Sequence, residues 1–106
     1  MSDPIVVGEI IELYKKHGWI LRRALLSEES ERRLAETLGE VMTIRSDFDG
    51  LWFSRRSKPE SEAWELRRLS GSPFALVAVV SSDVAAEELE ATLTHVADEM
   101  RAKTIA

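Results

Sequence analysis

Residues 41–80 read VMTIRSDFDGLWFSRRSKPESEAWELRRLSGSPFALVAVV, and this stretch decides the fold. From residue 41 the pattern changes to the two-residue period of a β-strand, over residues 41–46 and again over residues 51–55. The sequence Asp-Phe-Asp-Gly at residues 47–50 is a turn signal, so we expect the two runs to pair as a hairpin. Another strand candidate follows at residues 62–69. Short turns between consecutive strands predict a mostly antiparallel sheet.

The last part of this stretch is apolar without interruption. A Ser-Gly-Ser-Pro loop at residues 70–73 turns the chain into residues 74–80, where all seven residues are apolar. Both faces of such a strand carry apolar side chains, which is typical of strands that are buried on both sides. We therefore expect residues 74–80 at the centre of the sheet or beneath a second layer.

Capping signals before this stretch mark two helices. Asp3 followed by Pro4 predicts a helix over residues 4–17, because an N-cap carboxylate and a proline in the first turn both favour a helix start. Ser27 predicts the start of a second helix, and Gly39 follows its last apolar residue.

A strand and a closing helix complete the pattern. Residues 19–26 carry apolar groups on both alternating faces, which favours a strand between the first two helices. Apolar residues at helical spacing predict a final helix over residues 84–103. At 1.5 Å per residue, this helix is long enough to cross a whole sheet.

The resulting order is α-β-α-β-β-β-β-α, in one α+β domain that spans residues 1–106. We expect an antiparallel sheet of about five strands with helices on one face, including the long C-terminal helix. Without the first helix, this order matches that of helix-grip folds and of the halves of TATA-box-binding-protein-like folds. The match is one of element order by analogy only, and fold analogy says little about function.

Composition excludes several classes of protein. The chain has 106 residues, with 14 Lys and Arg against 19 Asp and Glu, so the net charge of −5 argues against nucleic-acid partners and anionic membranes. It contains no cysteine, which removes disulfides and thiolate chemistry and fits a reducing compartment. The start of the chain lacks a signal-peptide pattern, and no apolar run approaches the length of a membrane span. We therefore expect a cytoplasmic protein with no membrane association.

Two adjacent aromatic residues, Trp52 and Phe53, predict a partner surface. Neighbouring side chains on a strand point to opposite faces of the sheet, so only one of the two can lie under helices that cover a single face. An apolar patch on the other face is typical of an interface. The leading hypothesis is a non-enzymatic binding or adaptor module that forms a homodimer through this exposed face or binds a protein partner.

The alternative hypothesis is a small-ligand or catalytic cleft between the sheet and the C-terminal helix. Trp19, Trp64 and Arg68 are its candidate ligand-binding residues, since ligand sites are mostly apolar with a few polar groups. The same residues can also simply fill the core of a chain this small.

Arginine doublets offer a third hypothesis, in which Arg22, Arg23, Arg55, Arg56 and Lys58 bind nucleic acid. The net charge argues against it, and solvated ion pairs account for such doublets without a ligand.

The remaining polar residues do not define a reaction. His17 suits a helix C-terminus, and His95 with Glu99 has the spacing of two metal ligands but lacks a third. Asp47 and Asp49 lie in a predicted turn, where aspartate is common. No nucleophile motif or phosphate-binding loop is present. We therefore expect no metal and no cofactor, we assign no catalytic residue, and the sequence leans against an enzyme.

Overall fold

The computed structural model describes residues 3–69 and 74–105, so the turn expected at residues 70–73 lies outside the described residues. In this part of the chain, the order α-β-α-β-β-β-β-α and the α+β class are confirmed. The helices are α1 (Pro4–Lys16), α2 (Glu28–Leu38) and α3 (Ala86–Ile105), and the strands are β1 (Ile20–Leu26), β2 (Met42–Arg45), β3 (Gly50–Lys58), β4 (Ser61–Arg68) and β5 (Ala75–Ser81).

The strands form one sheet in the order β2-β1-β3-β4-β5. β1 and β2 run parallel, whereas the other neighbouring pairs are antiparallel. The parallel pair requires a crossover connection, and α2 supplies it by carrying the chain back before β2 begins. The sheet is thus mostly antiparallel, as predicted.

The predicted hairpin on either side of residues 47–50 is wrong, because β1 lies between β2 and β3. Leu25 of β1 is aligned with Ile44 of β2 and with Gly50 of β3. A turn signal shows that the chain reverses but does not show which strand will lie alongside. The hairpin in this region instead joins β3 to β4 through a tight turn at residues 59–60.

β5 lies at one edge of the sheet, so the central position expected for residues 74–80 is wrong. The alternative expectation, a strand beneath a second layer, holds on the face that α3 covers. Leu76 and Ala78 are half-buried and pack towards α3. Val77 and Val79 point to the other face, where they are 55% and 60% exposed. The apolar run is therefore covered on one face only.

Helices cover both faces of the sheet, and not one face as the sequence predicted. Trp52 and Phe53 show the division on β3: Trp52 packs in one cluster with Met100 of α3, whereas Phe53 packs with Val7 of α1 and Leu34 of α2. β3 carries large apolar residues at consecutive positions, so burying both sets requires a layer on either side.

The start of α2 is held by the turn that precedes β3. Ser27 caps the helix by accepting a hydrogen bond from the Ser30 N–H. Asp49 in turn accepts hydrogen bonds from the Ser27 N–H at 3.0 Å and from the Ser30 hydroxyl at 2.5 Å. A local cap and a distant carboxylate therefore fix the same helix terminus.

Candidate functional site

The predicted interface residues Trp52 and Phe53 both lie in the core, where they are 2% and 1% exposed. The prediction that one of them faces a partner is wrong, because α1 and α2 cover the face that was expected to be open. Self-association itself stays a prediction, and it needs a different surface.

The predicted ligand residues Trp19, Trp64 and Arg68 do not meet in one pocket. Trp19 packs beside Tyr14 on the face covered by α1, whereas Trp64 belongs to the core beneath α3. Arg68 lies on the same face as Trp64, with its guanidinium carbon 5.3 Å from the centroid of the Phe74 ring. The sheet therefore separates Trp19 from the other two residues.

The guanidinium groups of two arginines lie over the Trp64 ring. A bulge between Leu21 and Arg23 interrupts the pairing of β1 with β3. The guanidinium carbons of Arg22 and Arg23 lie 5.6 and 5.9 Å from the Trp64 ring centroid, within cation–π distance. Among the described residues, the buried Trp64 Nε1 has no hydrogen-bond partner. Trp64 is therefore a core residue that the charged side chains of Arg22 and Arg23 cover.

A small cavity of about 170 Å³ lies between β1 and α3, where the alternative hypothesis placed its cleft, but none of Trp19, Trp64 and Arg68 lines it. Arg23 at one end donates to Glu90 at 2.9 Å, and this hydrogen bond lowers the pKa of the Glu90 carboxyl. Arg101 at the other end donates to Asp98 at 2.6 Å and to Asp47 at 2.7 Å. The cavity is smaller than the roughly 300–1,000 Å³ of ordinary ligand sites, and these two arginines already have carboxylate partners.

A larger cavity of about 420 Å³ lies on the opposite face, at the C-terminal end of α1. This volume falls in the range of small-ligand sites, and the cavity opens broadly to solvent. Its walls come from α1, the following loop, β3 and β4, namely Leu13, Tyr14, His17, Trp19, Arg55 and Glu65.

Tyr14 forms the inner wall of this larger cavity. Its ring stacks on Phe53 at a centroid distance of 4.0 Å and meets Trp19 edge-on at 6.0 Å. Its hydroxyl donates a hydrogen bond to the Glu65 carboxylate. Burial, and then the Glu65 hydrogen bond and charge, raise the pKa of Tyr14 well above its ordinary value. The phenol therefore stays a proton donor at neutral pH.

Arg55 lies at the other side of the larger cavity. Its guanidinium carbon is 4.7 Å from the Trp19 ring centroid, and its Nη1 donates to the His17 carbonyl at 2.9 Å. Within residues 3–69 and 74–105, neither Arg55 nor Glu65 takes part in an ion pair. The cavity thus presents a cation and an anion that do not pair with each other, and Arg67 lies close to the Tyr14 hydroxyl beside the anion. The sequence singled out Trp19 but not Glu65, because 46 positions separate the two and only the sheet register brings them together.

The free edge of β5 is a second exposed feature. The Arg68 N–H donates to the Phe74 carbonyl, and the Ser82 N–H donates to the Glu60 carbonyl, so even-numbered residues of β5 turn their main chain towards β4. Because successive peptide groups alternate, the main-chain groups of Val77 and Val79 point to the open edge. β5 itself contains no charged residue and no proline. The apolar run in the sequence predicted this strand but did not predict its position at the edge of the sheet.

The arginine doublets do not form one basic surface. Arg22 and Arg23 lie over Trp64 on the α3 side, whereas Arg55 lies over Trp19 on the other side. Side chains alternate along β3, so Arg56 faces away from Arg55. The set hypothesised for nucleic-acid binding is therefore divided between two faces.

The histidines make local contacts. His17 Nδ1 lies 3.0 Å from the Leu13 carbonyl oxygen, and His95 Nε2 lies 3.2 Å from the Glu99 carboxylate. In the described part of the chain, no three His, Asp or Glu side chains are grouped so that they could hold a metal ion.

Comparison with models of known families, with curated proteins and with solved structures finds no match to this chain. None of the helices in the described ranges is long and apolar enough to cross a membrane.

Proposed function

We propose that the protein is a non-enzymatic binding module that forms a homodimer by pairing the β5 edges of two copies. The observation that carries the proposal is the exposure of Val77 and Val79 beside an unpaired strand edge. Natural proteins usually protect such edges with charged residues, proline or a covering element. β5 contains no charged residue and no proline, and α3 covers only the face of the strand opposite Val77 and Val79.

A second copy of the same strand fits this edge. Antiparallel pairing about a two-fold axis near Ala78 would place Val77 of one copy opposite Val79 of the other. Both residues turn their main-chain groups outward, so this register joins donors to acceptors. The paired strands carry no charge, and like charges therefore do not oppose each other in a symmetric interface.

The other two hypotheses have less support. The cavity beside α3 is small and lined by arginines already bound to carboxylates, and the basic residues are split between faces. We also propose a cytoplasmic location, because the chain contains no cysteine, which fits a reducing compartment.

The test is the native mass of the protein measured at several concentrations. The unchanged chain should have twice its mass of 12.0 kDa, and a V77K/V79K variant should have the monomer mass. The two lysines would face each other across the two-fold axis, while in a single chain both positions are exposed and folding should be retained. Ile5→Lys is the matched control, since Ile5 is 73% exposed but lies on α1. It should leave the dimer intact.

Val79→Pro provides a second variant. It removes an N–H that points away from β4, so its main effect should fall on the pairing between copies. A wild-type monomer at every concentration would contradict the proposal. A folded V77K/V79K variant that remains dimeric would contradict it as well.

A further inference from the structure

We infer that the cavity at the C-terminal end of α1 binds a free α-amino acid with an apolar side chain. Arg55 would receive its carboxylate, Glu65 its ammonium group, and Leu13 with Trp19 its side chain. The residues that line this cavity do not include Val77 or Val79, although Val77 is the cross-strand neighbour of Glu65. The inference does not require the proposed dimer.

The two charged residues lie close together on the sheet, within reach of one small zwitterion. Arg55 is aligned with Ala63, and Phe53 is aligned with Glu65, so Arg55 and Glu65 are diagonal neighbours on one face of the β3–β4 pair. The Cα atoms of diagonal cross-strand neighbours are about 7–8 Å apart, and both side chains line the same cavity. The adjacent carboxylate and ammonium groups of one amino acid can therefore contact both.

Both charged groups are already oriented by their neighbours. The Trp19 ring and the His17 carbonyl hold the Arg55 guanidinium, and the Tyr14 hydroxyl holds one oxygen of the Glu65 carboxylate. Each group keeps further hydrogen-bonding capacity, because a guanidinium has five N–H donors and a carboxylate has about four acceptor positions. Preorganised groups lose less entropy when a ligand binds.

The apolar part of the site selects the side chain of the ligand. Leu13 is exposed at the rim, and the Trp19 ring is half-buried beside it. An apolar side chain would remove both from water, whereas a charged side chain would lose water against these apolar surfaces. We therefore expect leucine or phenylalanine to bind more tightly than aspartate or lysine.

The test uses L-leucine as the probe and amide chemical shifts as the readout, including the Trp19 indole N–H. Millimolar L-leucine should give saturable shifts at residues 13–19 and around Glu65. N-acetyl-L-leucine lacks the ammonium group and L-leucinamide lacks the carboxylate, so each should bind about tenfold more weakly or worse. Equal binding of all three compounds, or no saturable shift at Trp19 with leucine or phenylalanine, would overturn the inference.

Matched variants separate this site from general surface charge. Arg55→Gln and Glu65→Gln should each weaken leucine binding about tenfold, and the glutamine at position 65 can still accept the Tyr14 hydrogen bond. Arg56→Gln and Glu62→Gln, which lie on the same strands but face the other side, should leave binding unchanged. Native mass should be unaffected by all four variants. If the two control variants weakened binding as much as the site variants, the assignment to this cavity would be wrong.

Discussion

Tyr14 illustrates how one residue joins the helical layer to the sheet. Its ring stacks on Phe53 of β3, and its hydroxyl donates to Glu65 of β4. Burial is the largest cause of its raised pKa, because the phenolate would lose water, and the nearby Glu65 charge adds to the effect. The same contacts therefore stabilise the fold and shape the wall of the candidate site.

The titration of Tyr14 can be followed directly, because it is the only tyrosine in the chain. The tyrosinate absorbance of the folded protein should appear at a pH well above the ordinary pKa of 10.0, and in urea it should appear near that value. The pKa is raised in the folded state, so its contribution to stability is complete below pH 10 and is lost as the pH rises above it.

The free energy of unfolding should consequently fall with pH above 10 more steeply in the wild type than in Tyr14→Phe. A folded protein that titrates at the same pH as the urea-unfolded chain would contradict this account of Tyr14.

At the scale of elements, the tight turn at the C-terminus of α2 positions β2. Gly39 has φ 61° and ψ −126°, a backbone conformation that residues other than glycine rarely adopt. This turn directs the chain into β2, parallel to β1. α2 also contacts α1 near Gly8, where an added Cβ would lie 4.0 Å from the Thr37 methyl group.

Two glycine-to-alanine changes should therefore act in opposite directions. Gly39→Ala should destabilise the protein by about 1–3 kcal/mol, because the alanine would be strained in this conformation. Gly8→Ala should stabilise it by about 0.5–1 kcal/mol, since alanine favours the helix and the 4.0 Å contact is ordinary. Urea unfolding monitored by circular dichroism measures both. Equal effects of the two changes would contradict the role given to Gly39.

At the scale of the whole molecule, β3 is the wall shared by two cores. Trp52 contributes to the core beneath α3, and Phe53 contributes to the core beneath α1 and α2. Both cores must form for the sheet to be shielded from water on its two faces. The loss of either aromatic ring therefore affects the entire domain.

Trp52→Ala and Phe53→Ala should each lower the free energy of unfolding by about 3–5 kcal/mol. This is a large part of the roughly 5–15 kcal/mol typical of a folded domain. Ile5→Ala, at a highly exposed position, should change it by less than about 1 kcal/mol. Urea unfolding at low protein concentration is the measurement. Variants that kept wild-type stability but lost the dimer would instead return Trp52 and Phe53 to the role of interface residues.

Local chemistry was sufficient to predict the elements. The observed bounds of α2, Glu28–Leu38, agree with the sequence because Ser27 and Gly39 act within one turn of the helix ends. The α+β order was predicted for the same reason, since helical and strand periods are properties of neighbouring residues.

Contacts between distant residues decided the rest. Whether β2 lies beside β1 or β3, whether β5 is central or at an edge, and which face each helix covers all depend on how the layers pack. The candidate site has the same origin, because Trp19, Arg55 and Glu65 meet only through the β3–β4 register and the position of α1. Periodicity determines which residues can be buried, but only tertiary packing determines what buries them and which remain exposed.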